Sequence, residues 1–363
     1  VNGRIPAGCL IVTIRRDIVG GMHEDIDLTN HYHEPIEFQL MLAVRSDFAD
    51  IFEVKAKQIL TRGKTQTNWK DGVLTTEYRD GSFHRGIVTQ PICTSSKPSY
   101  ANGRLFFEVA IAPGETWHTC VNFTAIADGD TLSPQHACTT PHETAAGKVR
   151  EDFLTKATKL RSSNAEITEF YQQALVDIGA LRIEVEDKGK KFWMPAAGIP
   201  WFMAVFGRDA IIASLQAIAV DRDLARGTLI QLAQLQATEV DDWRDAQPGK
   251  MLHELRRDEL TRLHQLPYYP YYVTIDTTIL WIIALAETHS WNASTDLLDE
   301  CRVPLEKALA WIDLYGDFDG DGFVEYQTRS SKGLRNQGWK DSGDAIVYPD
   351  GQLAEPPIAL CEV

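Results

Sequence analysis

The 363-residue chain is acidic, with 36 Lys and Arg against 51 Asp and Glu and a net charge of −15. That balance works against a nucleic-acid partner, and no apolar run approaches the roughly 20 residues needed to cross a bilayer. Hydrophobic residues make up 44% and charged residues 24%, ordinary proportions for a soluble globular protein acting on a neutral ligand, and the length points to roughly two domains.

The first domain, residues 1–150, reads as strands. Cys9-Leu10-Ile11-Val12-Thr13-Ile14 is a β-rich run, Ile36 to Leu42 partly alternates, and Arg104 to Ile111 closes on the turn signal Pro113-Gly114. Asp71-Gly72, Asp80-Gly81 and Asn102-Gly103 are hairpin or loop turns. Short strands at this spacing predict an antiparallel β-sandwich.

From about Thr144 onward the apolar period becomes helical, so residues 151–363 are expected to form an all-α domain. Ile167, Phe170, Tyr171, Ala174, Leu175, Ile178 and Leu181 share one helical face. Further helices are expected at about 207–219, 223–238, 274–290, 296–315 and from 355 onward, with the unusual residues in the loops between them. Val1-Asn2-Gly3 reads like the interior of a protein, and Pro357 to Val363 like an apolar helix cut short. Truncation at both ends is therefore expected.

Cys9, Cys93, Cys120, Cys138, Cys301 and Cys361 form no CxxC pair, so zinc-ribbon and thioredoxin readings have no support. Free, buried thiols in a reducing, cytoplasmic compartment are expected. Asn122-Phe123-Thr124 and Asn292-Ala293-Ser294 match the glycosylation sequon, a tripeptide common by chance.

Several loop segments carry residues suited to sugar chemistry. In Trp201 to Asp209, Gly207 would let the chain turn, and Arg208-Asp209 would open a helix where a carboxylate suits the dipole. Trp201 and Phe206 offer flat faces to a sugar ring, while Arg208 and Asp209 can donate to and accept from hydroxyls. A structural Arg–Asp cap is the competing reading. In Gly249 to Arg257, His253 and Glu254 are adjacent rather than spaced as HExxH, so a zinc protease has no support. They sit either on a solvated charged helix or at a pocket rim. Tyr268, Tyr269, Tyr271 and Tyr272 surround Pro270 and can either pack on sugar or fill space between helices.

Asp317, Asp319 and Asp321 followed by Gly322 match the start of a calcium loop, but position 12 is Thr328 rather than Glu. No metal or cofactor is expected; the alternative is a calcium site on Asp317, Asp319 and Asp321 completed from elsewhere. Glu325 and Tyr326 would then face the ligand loop. In Gly338-Trp339-Lys340-Asp341, Asp341 is placed to serve as a proton donor. Glycosidase chemistry needs two carboxyls, one of which keeps its proton near neutral pH. Trp339 could exclude water from Asp341 and floor the sugar site, and Lys340 must point away, toward a sugar hydroxyl.

In order and spacing these segments resemble the amylo-α-1,6-glucosidase (glycogen-debranching) family, among the glucoamylase-like α/α toroid hydrolases. The residues carrying the resemblance are Gly198 to Phe202, Phe206 to Asp209, Gly249-Lys250 with His253 to Arg256, Pro270 to Tyr272 with Asp276, Asp319 to Tyr326, and Gly338 to Ser342. Gly3 to Pro6, Gly21 to Asp25 and Asp47 to Val54 resemble that family's N-terminal β-domain. The resemblance implies residues 151–363 as the first half of an (α/α)6 toroid and an inverting, exo-acting α-glucoside hydrolase. It makes Asp341 the general acid, with Arg208 and Asp209 gripping the terminal sugar. Trp201, Phe206, Glu254, Tyr272, Glu325, Trp339 and Lys340 complete the expected carbohydrate contacts. The family's general base lies in the second half of the toroid and has no matching segment here. Val273 and Thr274 stand where the family usually has Gly-Ser. Related toroid enzymes cleave glucosylglycerate, mannosylglycerate and trehalose, so a small glycoside is an alternative substrate; a non-catalytic carbohydrate-binding protein is another reading.

Overall fold

The computed structural model describes residues 5–60, 62–135, 145–292 and 295–360. The Val1-Asn2-Gly3-Arg4 start, Cys138, Cys361, the sequon residues Ala293 and Ser294, and the last three residues lie outside that set. The chain divides into two compact units, Val1–Val149 and Arg150–Val363.

The first unit is built from antiparallel strands. Its larger sheet contains β1 (Leu10–Val19), β2 (Gly21–Asn30), β4 (Lys64–Lys70), β5 (Val73–Asp80), β6 (Phe83–Ile92), β9 (Thr116–Ala127) and β10 (Asp130–Leu132). They run in the order β1-β2-β9-β6-β5-β4, with β10 beside β9. The smaller sheet is β3 (Ile36–Ala43), β8 (Arg104–Ile111) and β7 (Ser99–Ala101), in the order β3-β8-β7. The short helix α1 (Ile51–Ala56) is capped by the Asp50 side chain, which accepts from the Phe52 N–H. Alternation decides what packs: Leu105, Phe107, Val109 and Ile111 of β8 meet Ile26 and Leu28 of β2 and Trp117 of β9 in one core. Asp71 and Gly72, both at positive φ, form the β4–β5 turn. The expected sandwich-like, antiparallel character of this unit is thus borne out.

Cys9, Cys93 and Cys301 are free, but Cys93 is exposed, and Cys120 is in a disulfide whose partner lies outside the described residues. The expectation of free, buried thiols is corrected at Cys93, at Cys120 and at Cys9, which is only half-buried.

The second unit holds α2 (Ala145–Lys156, which crosses the unit boundary), α3 (Ala165–Ala180), α4 (Arg208–Gln216), α5 (Arg222–Gln234), α6 (Glu259–Arg262), α7 (Asp276–Asn292), α8 (Asp296–Glu300) and α9 (Arg302–Trp311). A core of Ile211, Leu229, Leu232, Trp281, Leu285 and Leu297 joins α4, α5, α7 and α8. Trp281 satisfies its buried indole N–H on the Leu229 carbonyl. The expected apolar face of α3 buries only Leu175, and Phe170 is 76% exposed.

Three expectations need correction. The helix expected over 296–315 breaks at Cys301, because Pro304 lacks the N–H a continuous helix would need and is tolerated only in a new first turn. Among the described residues no helix forms from 355 onward; after Pro356-Pro357, β16 (Ile358–Ala359) pairs with β15 (Glu325–Tyr326). The domain is also not all-α: β11 (Arg182–Asp187) and β12 (Lys190–Pro195) form a hairpin, and β13 (Val205–Phe206) pairs with β14 (Glu254–Leu255). Among the described residues, no helix is long and apolar enough to cross a membrane.

Candidate active site

The site is assembled where two helices begin. Arg208 is the first residue of α4 and Asp276 the first of α7. Gly207 sits between β13 and α4 at φ −77°, so it is not needed for a left-handed turn. It is needed for close approach: a Cβ there would lie 2.0 Å from the Leu252 carbonyl oxygen and 2.5 Å from Thr277 Cγ2. The absent side chain lets α4 and α7 close together.

Arg208 is 8% exposed and ties three groups together. Its Nη1 donates to Asp276 Oδ2 at 3.1 Å and to the Gly338 carbonyl at 2.7 Å. Its Nη2 donates to Asp341 Oδ2 at 2.8 Å. Burial disfavours the guanidinium charge, but Asp276 and Asp341 outweigh it and hold the Arg208 pKa above its ordinary value. Burial pushes Asp276 above the usual carboxylate range, although Arg208 opposes that shift. Arg208 thus reaches Asp341 with much of its charge already balanced by a buried carboxylate.

The loop bearing Asp341 has no regular structure, so buried hydrogen bonds fix it instead. The Leu334 N–H donates to Tyr271 Oη, the Ile275 N–H to the Gln337 carbonyl, and Asn336 Nδ2 to the Ser342 carbonyl. Asn336 and Gln337 are each 1% exposed. The pinned loop presents Trp339 and Lys340 outward, and the Asp341 side chain is 37% exposed. The Arg208 guanidinium lies 5.5 Å from the Trp339 ring centroid.

His253 lies behind this cluster, 4% exposed, with Nδ1 3.2 Å from Thr274 Oγ1. Thr274 Oγ1 is in turn 2.8 Å from Thr277 Oγ1, so the Thr that departs from the family pattern is fully used inside the protein. Burial, with the positive charges of Arg208, Arg256 and Lys250, pushes His253 down to about 3. An unfolded histidine titrates near 6.5 and this one does not, so stability is present above pH 6.5 and lost as pH falls toward 3. The expected slope is at most about 1.4 kcal/mol per pH unit, and His253→Gln should flatten it in urea titrations across that window. An unchanged slope would place the acid sensitivity elsewhere.

The remaining expected contacts divide. Glu254 is on neither a solvated helix nor an open rim: it is 6% exposed, in β14, and Arg256 Nε donates to it at 2.6 Å. Burial pushes its carboxyl up against the pull of Arg256. Phe206 is 5% exposed, with Arg256 5.3 Å from its ring centroid and the His253 ring at its edge, so it supports the site rather than offering a free face. Trp201 accepts at its carbonyl from Arg256, and Asp209 is exposed beside Arg208. Tyr272 is a core residue whose hydroxyl donates to the Leu235 carbonyl. Glu325 accepts from the Phe318 N–H, and its oxygen gathers with those of Asp317 and Asp319 within 4.8 Å. Asp321, by contrast, accepts from the Phe323 N–H. Asn336 and Gln337 support the site without having been among its expected members, and Asp276 and His253, known beforehand only from the motifs around them, act from behind Arg208 rather than at a pocket rim.

Residues 1–122 match the profile of the N-terminal domain of some glycogen debranching enzymes. The likeness to debranching enzymes is thus one of the first unit. No curated protein matches it. Among solved structures, a putative kojibiose phosphorylase from human microbiome matches 87% of this chain with a TM-score of 0.51 at 9% identity. The chain spans 44% of that phosphorylase's length. A polysaccharide lyase matches 86% of this chain and 57% of its own, at 10% identity, with a TM-score of 0.21. The likeness to the phosphorylase concerns the fold.

Proposed function

We propose that the chain is part of an inverting, exo-acting α-glucoside hydrolase of the amylo-α-1,6-glucosidase type, with Asp341 as its general acid. One observation carries this reading: a half-open carboxyl is aimed by a buried arginine and flanked by an exposed indole and an exposed lysine. In this reading Asp341 gives its proton to the glycosidic oxygen as the C1–O bond breaks. Water attacks C1 from the opposite face and passes its proton to a second carboxylate. Trp339 floors the sugar, while Lys340 and Asp209 meet its hydroxyls. Arg208 orients Asp341, and Trp201, Phe206 and Glu254 support the pocket wall through Arg256. We place the second carboxylate outside these 363 residues and read the helices of the second unit as half of an (α/α)6 toroid. The debranching-enzyme match of residues 1–122 supports the substrate class.

The test is product analysis with the full-length protein on branched and linear α-glucans, with and without inorganic phosphate. Inversion predicts that glucose first appears as the β-anomer, at a rate independent of phosphate. First appearance as the α-anomer would exclude inversion. Phosphate-dependent release of a sugar phosphate would instead make the protein a phosphorylase, the activity for which the structurally similar protein is named. A panel of glucosylglycerate, mannosylglycerate and trehalose tests the small-glycoside alternative. Sugar binding without product would identify a binding protein.

A further inference from the structure

A cavity in the second unit lies away from the Asp341 cluster, at the far ends of the helices that build it. Arg208 and Asp276 start α4 and α7. The cavity is lined by the turn between α4 and α5, by Lys156 and Thr158 at the end of α2, and by Trp291 near the end of α7. At a rise of about 1.5 Å per residue, Trp291 stands roughly 22 Å along α7 from Asp276. None of the residues assigned to the proposed reaction lines it. Its volume of about 390 Å³ falls among small-molecule sites, which run roughly 300–1,000 Å³.

Hydrogen bonds fix the walls. The Thr158 N–H and Oγ1 donate to the Val220 and Ala219 carbonyls at 3.0 and 2.7 Å, tying the segment after α2 to the turn between α4 and α5. Arg222 Nη1 donates to the Trp291 carbonyl at 3.4 Å and ties the start of α5 to the end of α7. Asp221 caps α5 by accepting from the Asp223 N–H at 2.9 Å.

The lining then selects by charge. Lys156 and Arg222 bring two positive groups, Asp221 and Asp223 two negative ones. An anion meets two carboxylates there and a cation two basic groups, so neither gains a net field. A hydroxyl donates and accepts through one atom and can use both kinds of neighbour. Among the described residues the Lys156 and Asp223 side chains form no hydrogen bond or ion pair, and Arg222 spends one of its five N–H donors on the Trp291 carbonyl. Trp291 is 50% exposed, and its flat apolar face beside polar groups suits the C–H face of a pyranose ring.

We propose that this cavity is a second carbohydrate site, taking a glucosyl unit of an α-glucan while another branch of the same glucan is cleaved at Asp341. The choice of an α-glucan rests on the proposed function; the choice of a neutral, hydroxyl-rich ring rests on the cavity itself. A large branched glucan meets both points and gains avidity, whereas a short oligosaccharide does not.

The test measures retardation of the full-length protein in native gels containing glycogen, beside turnover of α-glucosyl fluoride. Trp291→Ala is expected to weaken glycogen binding at least about fivefold, with fluoride turnover and circular dichroism unchanged. Trp291→Phe, which keeps a flat ring, should restore most of the affinity. Asp223→Ala, which leaves the backbone N–H bound by Asp221 in place, and Lys156→Ala should each weaken glycogen binding in the same direction. Native glycogen affinity in Trp291→Ala and Asp223→Ala overturns the proposal, whatever is found at Asp341. So does saturable binding of inorganic phosphate that is lost in Lys156→Ala while glycogen affinity stays native, the mark of an anion site. Weakened glycogen binding in Trp291→Ala by a protein that turns over no α-glucan upholds this site and counts against the reading of Asp341. If Trp291→Ala does not fold, the glycogen affinities of Asp223→Ala and Lys156→Ala decide it.

Discussion

Asp341→Asn in the full-length protein is expected to lower turnover of α-glucan about 10²–10⁴-fold, the usual contribution of a positioned general acid, while leaving KM for the sugar nearly unchanged. The amide matches the carboxyl in size, and its oxygen can still accept from Arg208 Nη2, now 2.8 Å from Asp341 Oδ2. The pinned loop from Leu334 to Ser342 should therefore keep its shape. What is lost is the proton. The decisive control is α-glucosyl fluoride, whose leaving group needs no protonation: Asp341→Asn should retain most of its activity there. An equal loss on both substrates would show that Asp341 acts otherwise than as an acid, and undiminished activity on α-glucan would remove it from the chemistry.

How much of this was legible in sequence varies with the range of the interaction. The run Arg104 to Ile111 located β8, whose alternate residues Leu105, Phe107, Val109 and Ile111 reach the core, because strand propensity is a local property. Turn chemistry located Asp71-Gly72 for the same reason. The β11–β12 hairpin was missed although Ile183 and Val185 alternate with charged residues, because it lies inside an otherwise helical region. The Gly207 requirement was invisible: it depends on the Leu252 carbonyl, 45 positions later in the chain, and the φ of Gly207 is ordinary.

At the site, sequence order brought Arg208, Trp339 and Asp341 into one hypothesis, and the structure gives that group a geometric basis in two Arg208 contacts. Residue type misled where an aromatic or acid could serve core or ligand equally. Tyr272 went to the core because its hydroxyl found the Leu235 carbonyl there. Glu254 went inside because Arg256 follows it by two and meets it across a strand end. Such partners belong to the tertiary fold and leave no periodic trace.

The second large effect concerns the group behind Asp341. Asp276→Ala is expected to destabilise the protein by about 3–5 kcal/mol, because it leaves a buried guanidinium without its innermost counter-charge. The Arg208 and Asp276 side chains are 9% and 1% exposed, so solvent screens the pair little. Water cannot readily replace the lost carboxylate; the Gly338 carbonyl carries no net charge, and Asp341, 37% exposed and screened by solvent, balances the cation only in part. Asp276→Asn, which keeps an oxygen facing Arg208 Nη1, should cost less. The double variant Arg208→Met/Asp276→Leu should cost less than Asp276→Ala, since it removes charge and counter-charge together. Urea titrations of the native protein and the three variants would rank these costs. Turnover should separate from stability: the double variant, although folded, has lost the donor that aims Asp341, and should turn over α-glucan far more slowly than Asp276→Asn. If Asp276→Ala costs under about 1 kcal/mol, in the range of an exposed pair, the convergence of α4 and α7 on this ion pair does not hold the site together.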